Sequence, residues 1–426
     1  HLKGLSLTAM VEKTNIGWGF KPRPLRPTQT AAKIEVLLMN KKSTRRVQLI
    51  FGSLFAQFAV PVSNIAVSIL VVRWFSAELW GEYVEHLLIL SLVLTVVHWG
   101  SKDYLSKQFS KAPKDIGVDL QRSMVGKVML LLALGFMLAL IPLPGLEKDL
   151  ILVWIWSRAS WQFFESLNTY RRLFLQVAMV EVVLVLVMIG CIVQFEMSIR
   201  LLLSLFIGVD VMKLIVYSIF NRSYLLPWRG GERWRDFFRE SFPFFLLTLS
   251  SLAASRADLY LLSLWEDAQA LAQYQIITNF IQYAHLLATA IMLPFLKNIF
   301  RLQFASIQQL EKRFTGLGVI LGMMLTGGIY VITTFLYQFE MSYIVITLIY
   351  LNIVVFYFYF LRIPAGFSFN KMWSVIFVMS LMGGINLFLG ILIIPTLGMI
   401  GGLLSSLSAG ILGLLGFRSK KLFHFS

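Results

Sequence analysis

About twelve apolar stretches divide this chain, and its lysines and arginines fall almost entirely into every second loop between them. Hydrophobic residues make up 58% of the 426 residues and charged residues only 14%, which is more apolar than a soluble domain of this length. A helix needs about 20 mainly apolar residues to cross the hydrocarbon of a bilayer. The sequence therefore predicts an all-α integral membrane protein.

The apolar stretches that are long enough to cross the bilayer define the predicted membrane-spanning helices. The first six lie near residues 47–72, 82–101, 124–142, 149–169, 173–194 and 198–220. The other six lie near residues 241–264, 270–296, 314–337, 341–362, 372–394 and 397–417.

The basic loops set the expected orientation. They cluster at residues 41–46, 102–114, 171–172, 222–239, 297–313, 371 and 418–421, whereas the opposite loops are short and mainly acidic. Because basic loops stay on the cytoplasmic side, both chain ends are predicted to be cytoplasmic. The net charge of +16 is scattered over short loops, with no basic domain. We therefore expect anionic lipid headgroups, and not nucleic acid, to contact these loops.

Several classes of chemistry lack their sequence signals. The lone Cys191 cannot form an intrachain disulfide, and the five histidines have no metal-ligand spacing. No glycine-rich phosphate loop or catalytic triad pattern is evident, and no loop is long enough to fold as a catalytic domain. We expect a transporter and not an enzyme, without a metal or a cofactor.

The predicted organisation has two halves. Residues 1–45 are polar and basic, so we expect disorder there, with Met39 as a candidate start. Residues 46–222 and 241–417 each hold six predicted spans, joined by a basic linker at 223–240 and followed by a tail at 418–426.

The two halves also carry a similar segment. Residues 74–83 follow the first span and residues 265–274 follow the seventh, with tryptophan, alanine and tyrosine in register at Trp74 and Trp265, at Ala77 and Ala268, and at Tyr83 and Tyr274. Both segments connect spans of the same direction. This favours a parallel six-plus-six repeat related by an axis along the membrane normal.

Three motifs within residues 46–417 carry a family resemblance. They are the turn at 77–83, the segment 255–262 with Arg256 and Asp258, and the run from Asn386 through Pro395 to the glycines at 401–402. The chain resembles the polysaccharide-unit flippases of the multidrug/oligosaccharidyl-lipid/polysaccharide (MOP) exporter superfamily, which include the O-antigen flippases. It departs from their pattern at Gly402, where alanine is usual, and at Ser76 and Ala272, where glycine is usual.

The resemblance implies a fold and a function. The fold would be two parallel-repeat six-helix bundles around a central cavity, as in MATE and other MOP transporters. The function would be secondary transport by alternating access, flipping polyprenyl-diphosphate-linked oligosaccharide across the bacterial inner membrane, with other polysaccharide-assembly membrane proteins as candidate partners. A drug or metabolite exporter of the same superfamily remains an alternative. A second alternative is a membrane glycan polymerase or a non-transporting assembly scaffold.

Polar helix faces are expected to line a hydrated cavity, because neither a glycan nor a diphosphate tolerates hydrocarbon. Three spans supply such faces at helical spacing. The residues are Arg158, Gln162, Glu165 and Thr169 in span four, Gln275, Asn279, Gln282 and His285 in span eight, and Gln57, Asn64 and Ser68 around Pro61 in span one. For Arg158 and Glu165, seven residues apart, the alternative is a polar contact between helices.

Arg256 and Asp258 are the ionisable pair deepest in a predicted span, so they should face a cavity or a partner. A guanidinium suits phosphate oxygens with two parallel donors, which makes Arg256 a candidate diphosphate ligand. Alternatively, Arg256 neutralises Asp258 or an acid on another helix. Residues two apart on a helix do not face each other, which favours partners elsewhere.

Three further ionisable residues are candidates for ion coupling. Asp210 and Lys213 are three residues apart in span six, which predicts a local ion pair. Glu181 in span five has no evident local partner. Buried carboxylates such as Glu165, Glu181 and Asp258 could carry protons or could be structural, and the sequence leaves both interpretations open.

Overall fold

The structure, a computed structural model, describes residues 54–55, 57–112, 114–140, 147–225, 234–292, 304–368 and 371–419. The predicted disordered segment 1–45, the candidate start Met39 and the tail beyond residue 419 lie outside these ranges. Helices account for most of the described residues, and no strand occurs among them. The predicted all-α fold class is confirmed.

Fourteen α-helices occur in the described ranges, numbered in chain order, and a five-residue π-helix, Ile332–Leu336, follows the eleventh. The first eight are α1 (Gln57–Trp74), α2 (Ala77–His98), α3 (Ser101–Lys111), α4 (Ile116–Leu140), α5 (Lys148–Gln162), α6 (Glu165–Tyr170), α7 (Phe174–Gln194) and α8 (Ile199–Leu225). The others are α9 (Trp234–Trp265), α10 (Ala268–Met292), α11 (Phe304–Val331), α12 (Tyr343–Tyr359), α13 (Arg362–Ser368) and α14 (Met372–Arg418).

These helices are consistent with twelve membrane crossings. Eight are long and apolar enough to span a bilayer. One of them, α14, is 47 residues long and breaks at Gly398, where φ is 53° and ψ is −128°, so it makes two crossings. Helices α8 and α10, of 27 and 25 residues, are also long enough. The consecutive short helices α5 and α6 provide the remaining crossing.

Two elements differ from their predicted bounds. The predicted fourth span is divided by a turn at Phe163 and Phe164, which separates α5 from α6. Helix α9 begins at Trp234, inside the predicted linker, because Phe237 is fully buried and packs edge-on against Tyr104 of α3 at 5.7 Å between ring centroids. Burial of this aromatic pair extends the helix beyond its apolar stretch.

The repeated segments begin equivalent helices. The Ser76 hydroxyl accepts a hydrogen bond from the Leu79 amide at 3.0 Å and caps α2. The Asp267 carboxylate accepts one from the Ala270 amide at 2.7 Å at the start of α10. In the register of the repeat these two capping residues are equivalent, so Ser76 takes the place of the family glycine with a capping role.

Helices α2 and α10 also pack on each other near these ends. A Cβ atom added at Gly81 would lie only 1.9 Å from the Ala268 carbonyl oxygen, so the two helix backbones are in direct contact. The Trp80 indole donates to Gln275 Oε1 at 3.0 Å across the same contact. This is the side predicted to face away from the cytoplasm, and here the two halves are closed against each other.

A second contact closes the halves on the side predicted to be cytoplasmic. The Trp99 ring stacks on Phe245 of α9 with centroids 4.0 Å apart, and its indole donates to the Phe238 carbonyl at 3.2 Å. The Tyr104 hydroxyl donates to Glu240 at 2.6 Å. A space between the halves lies between these two contacts.

Candidate functional site

A cavity of 260 Å³ lies between the two closed contacts. The N-terminal half contributes residues from α1, α2, α5 and α8, and the C-terminal half contributes residues from α9 and α10. The polar residues that line it are Asn64, Trp80, Tyr83, Ser91, Arg158, Arg256, Gln275, Asn279 and Tyr283. We call this space the central cavity.

Arg256 enters the central cavity from α9, and neutral groups hold it. Its Nη2 donates to Asn279 Oδ1 at 3.0 Å and to Gln282 Oε1 at 2.5 Å. Both acceptors are amide oxygens on α10, one turn apart. Among the described residues no carboxylate lies within ion-pair distance of Arg256. The two amide dipoles orient the guanidinium group, and no direct ion pair neutralises its charge.

Arg158 enters the same cavity from α5, where its surroundings are different. Its Nη1 lies 3.5 Å from Asp210 Oδ2 on α8. Asp210 is buried and accepts hydrogen bonds from the indoles of Trp154 at 2.9 Å and Trp161 at 2.8 Å. The guanidinium also lies 6.0 Å from the Trp161 ring centroid. Arg158 therefore shares a carboxylate that two tryptophans hold in place.

The charge of the lining is the main chemical property of the central cavity. Arg158 and Arg256 both line it, and the lining residues include no carboxylate. Asp210, which pairs with Arg158, lies behind the wall and is already bonded three times. In a space partly shielded from water, two guanidinium groups favour an anion.

A second cavity, of 130 Å³, lies inside the C-terminal half between α9, α10, α12 and α14. We call it the C-terminal cavity. Its polar lining includes Asp258, Thr278, Gln282, His285 and Asn352. The predicted polar face of span eight is divided between the two cavities. Gln275 and Asn279 line the central cavity, whereas Gln282 and His285, further along the same face of α10, line the C-terminal cavity.

Asp258 is bonded within the C-terminal half and does not pair with Arg256. The Tyr274 hydroxyl donates to its Oδ2, and Asn386 Nδ2 lies 3.5 Å from its Oδ1. A Cβ atom at Gly402 would lie 2.7 Å from the Tyr274 hydroxyl oxygen. This contact gives the departure at Gly402 a physical reason, because alanine there would displace the tyrosine that binds Asp258.

The predicted ion pair between Asp210 and Lys213 is wrong. Lys213 Nζ lies 2.7 Å from Glu181 Oε2 of α7, with both side chains less than a tenth exposed. Asp210 binds Arg158 instead. Neighbouring helices present the stronger partners, so each ionisable group of this pair binds across a helix interface and Glu181 gains the partner that its own helix lacks.

The predicted continuous face of span four is also wrong beyond Arg158, where a turn at residues 163–164 separates α5 from α6 and the later residues of the face do not line the central cavity. Gln162 accepts a hydrogen bond from His98, and Glu165 binds Lys102 at 2.6 Å. The Thr169 hydroxyl donates to the Glu165 carbonyl at 2.9 Å. These residues lie outside the lining of the central cavity, and so do Gln57 and Ser68.

Several lining residues were not among the predicted site residues. Tyr83 is buried and stacks on Phe206 at 4.5 Å, although its place in the repeat was visible. Tyr283 follows Asn279 by four residues, so helical spacing alone could have indicated it. Ser91 bonds the Tyr260 hydroxyl at 2.6 Å, and no sequence pattern marks that contact between α2 and α9.

Metal binding has no evident site in the described part of the chain. No group of three histidine, cysteine, aspartate or glutamate side chains there lies close enough to hold an ion.

Among known proteins, this chain is similar to solved structures, whereas the sequence comparisons find no match. No family model matches the sequence, and no curated protein sequence matches it either. The solved structure of the lipid II flippase MurJ in an inward closed conformation is similar, with a TM-score of 0.64 and 16% identity, covering 87% of this chain and 86% of MurJ.

Two further solved transporter structures are similar as well. A mutant form of the Vibrio cholerae MATE transporter VcmN matches with a TM-score of 0.54 and 15% identity, covering 87% of this chain and 95% of VcmN. A MOP superfamily transporter from Pyrococcus furiosus matches with a TM-score of 0.51 and 14% identity, covering 87% of this chain and 94% of the Pyrococcus protein. Both halves take part in these matches, since most of each chain is covered. The chain has the membrane transporter fold of the MOP superfamily structures.

Proposed function

We propose that this protein is a flippase that carries polyprenyl-diphosphate-linked oligosaccharide units across the bacterial inner membrane for polysaccharide or O-antigen assembly. The observation that carries the proposal is the central cavity, which two arginines line without a carboxylate. The similarity to a lipid II flippase supports a lipid-linked substrate, because the two chains share a fold over most of their length.

The cavity chemistry fits a diphosphate better than a cationic drug. A guanidinium presents parallel donors that match phosphate oxygens and stays charged when partly desolvated. Arg256 binds its two amide partners through Nη2, so its remaining N–H groups are available to a ligand. A cationic drug would meet two like charges in the same space, which disfavours its binding.

The rest of the lining suits a sugar. Trp80, Tyr83 and Tyr283 contribute aromatic side chains to the lining, and Asn64 and Ser91 contribute hydrogen-bonding groups. Aromatic rings with a polar end provide apolar contact area together with hydrogen bonds, which is the mixture that a glycan surface offers. The proposed site thus combines an anion-binding part with a part for hydroxyl-rich groups.

Alternating access would use the two closed contacts as gates. At 260 Å³ the cavity is too small to enclose a lipid-linked oligosaccharide, so one of the contacts has to open before the substrate enters. The contact at Trp99 and Tyr104 would open toward the predicted cytoplasmic side, and the contact at Gly81 and Trp80 toward the other. Rocking of the two halves would open them in turn.

The direct test is outward movement of a fluorescent undecaprenyl-diphosphate oligosaccharide in liposomes that contain the purified protein. The native chain should move the lipid to the outer leaflet, and Arg256→Ala should reduce the rate by about a hundredfold, because it removes the charge-assisted bonds to the diphosphate. Normal movement by Arg256→Ala would overturn the role of Arg256.

Arg200→Ala is the matched control. The Arg200 side chain is 73% exposed, binds Glu147 at 2.7 Å and lies outside the lining of the central cavity. This variant should flip at the native rate. If the native protein moves no lipid but removes small organic molecules from the liposomes, the drug or metabolite exporter alternative is correct.

A further inference from the structure

The C-terminal cavity holds a titratable side chain that the proposed transport site does not use. His285 lines this cavity, and its Nε2 is buried with no hydrogen-bond partner among the described residues. The ring stacks on Phe356 of α12, with centroids 3.8 Å apart and planes at 18°. Buried polar atoms in proteins nearly always have a partner, so an orphan ring nitrogen that lines a cavity indicates a missing one.

The cavity has the size and lining to hold water. At 130 Å³ it has room for about four water molecules. Its hydroxyl and amide groups belong to Ser251, Ser255, Thr278, Gln282, Asn352 and Ser406. Water in this cavity would lie beside the His285 ring, and because Nε2 itself has almost no accessible surface in this conformation, a small movement of the ring or of its neighbours has to precede proton transfer to Nε2.

The titratable groups that face His285 are few. Asp258 of α9 and Tyr359 of α12 line the same cavity, and α14 contributes the Ser406 hydroxyl but no charged side chain. Asp258 already receives bonds from Tyr274 and Asn386. An imidazolium at His285 would therefore have one carboxylate in its cavity and no competing cation among the lining residues.

Gln282 connects the two cavities. It lines the C-terminal cavity three residues before His285, and its Oε1 accepts from Arg256, which lines the central cavity. Its Nε2 donates to the Ser255 carbonyl at 3.3 Å. Any charge gained at His285 therefore arises one helical turn from the group that orients Arg256.

We propose that the C-terminal cavity is a proton-binding site with His285 Nε2 as the acceptor, and that its protonation is coupled through Gln282 and Arg256 to anion binding in the central cavity. A proton from bulk solvent passes to Nε2 through cavity water, which gives up one proton and takes up another and so remains neutral, and the imidazole becomes an imidazolium. An anion beside Arg256 offsets the second positive charge, so anion and proton strengthen each other's binding. The inference rests on the proposed anionic substrate.

The test measures binding of undecaprenyl diphosphate to the purified full chain in detergent between about pH 8 and about pH 4, because a buried imidazole titrates below the usual histidine range. Native protein should bind the diphosphate more tightly as the pH falls. Its increase in affinity should exceed the increase shown by His285→Asn by about fivefold. Ionisation of the diphosphate itself affects both proteins equally and cancels. His98→Asn removes an imidazole that bonds Gln162, and this variant should gain as much affinity as native protein when the pH falls.

A ligand-free measurement separates failure of this proposal from failure of the proposed function. Nitrogen NMR of histidine-labelled protein, with His285→Gln used to assign the signal, should show His285 becoming protonated within the same pH range. A signal that stays neutral throughout, or equal pH dependence of binding in native protein and His285→Asn, would overturn the coupled proton site. Absence of diphosphate binding at every pH would overturn the proposed function and, with it, the coupling.

Discussion

The two halves of the molecule each place one arginine in the central cavity, but they hold it in opposite ways. The N-terminal half gives Arg158 a carboxylate, Asp210, that two indoles fix in place. The C-terminal half gives Arg256 two amide oxygens and leaves its charge unbalanced. A repeated scaffold can therefore carry one charge for its own stability and another for a ligand.

The same contrast extends behind the cavity wall. Behind Arg158, Lys213 and Glu181 form a second buried ion pair at 2.7 Å. Behind Arg256, Asp258 is satisfied by a tyrosine and an asparagine, and no cation pairs with it among the described residues. Around the central cavity, the N-terminal half is built on ion pairs and the C-terminal half on neutral hydrogen bonds.

Asp210→Ala should be the most destabilising single substitution in this comparison. It leaves Arg158 without its carboxylate and two indole N–H groups without an acceptor, so the free energy of unfolding should fall by about 3–5 kcal/mol. Asn279→Ala, which removes one neutral acceptor from Arg256, should cost about 1–3 kcal/mol. Thermal unfolding of the purified variants in detergent gives both values. Equal losses would remove the distinction between the halves.

The Glu181–Lys213 pair allows a more stringent test of the same distinction. Either Glu181→Leu or Lys213→Met alone leaves a buried charge unpaired and should cost about 3 kcal/mol. The double variant should regain most of that loss, because it buries no charge. Additive losses in the double variant, measured by the same unfolding assay, would show that the two side chains do not interact.

A smaller loss is expected at Gly402 in the C-terminal half. Gly402→Ala places a methyl group against the Tyr274 ring and should cost about 1–3 kcal/mol by overpacking. Adding Tyr274→Phe should recover little of this loss, because the ring carbons Cζ and Cε2 would still lie 2.8 and 3.0 Å from the added methyl group and buried Asp258 would lose its hydroxyl donor. If Gly402→Ala unfolds at the native temperature, Tyr274 is not held as tightly as the structure indicates.

The ion pair between Arg200 and Glu147 should contribute least of all. The Arg200 side chain is 73% exposed, so solvent screens the pair, and Arg200→Ala should leave the free energy of unfolding nearly unchanged. Unfolding at low and high salt would check this. A loss similar to that of Asp210→Ala would show that burial does not separate the two kinds of ion pair.

Much of the fold was predictable, because it depends on properties local to the sequence. Apolar length indicates a crossing whatever its neighbours are, and the repeat at 74–83 and 265–274 does begin equivalent helices. The break at residues 163–164 was not predictable, since Phe163 and Phe164 are as apolar as the helices around them. Both side chains are buried in the folded protein, and sequence alone does not show how they pack there.

The site was predictable in its residue types and not in its partners. Deep arginines in spans indicated an interior polar surface, and five predicted residues line the central cavity: Asn64, Arg158, Arg256, Gln275 and Asn279. The pairing of Lys213 with Glu181, in preference to Asp210 on its own helix, depends on which faces of α7 and α8 meet. Packing of whole helices decides that, and helical periodicity alone cannot.

Two lipids that differ only in the presence of the diphosphate group give the decisive test of an anion-binding central cavity. Binding of undecaprenyl diphosphate and of the neutral undecaprenol is measured for native protein and for Arg256→Gln, in detergent at fixed salt. We predict that native protein prefers the diphosphate by at least about tenfold, and that Arg256→Gln loses most of this preference. Equal affinity of native protein for the two lipids would contradict an anion-binding central cavity.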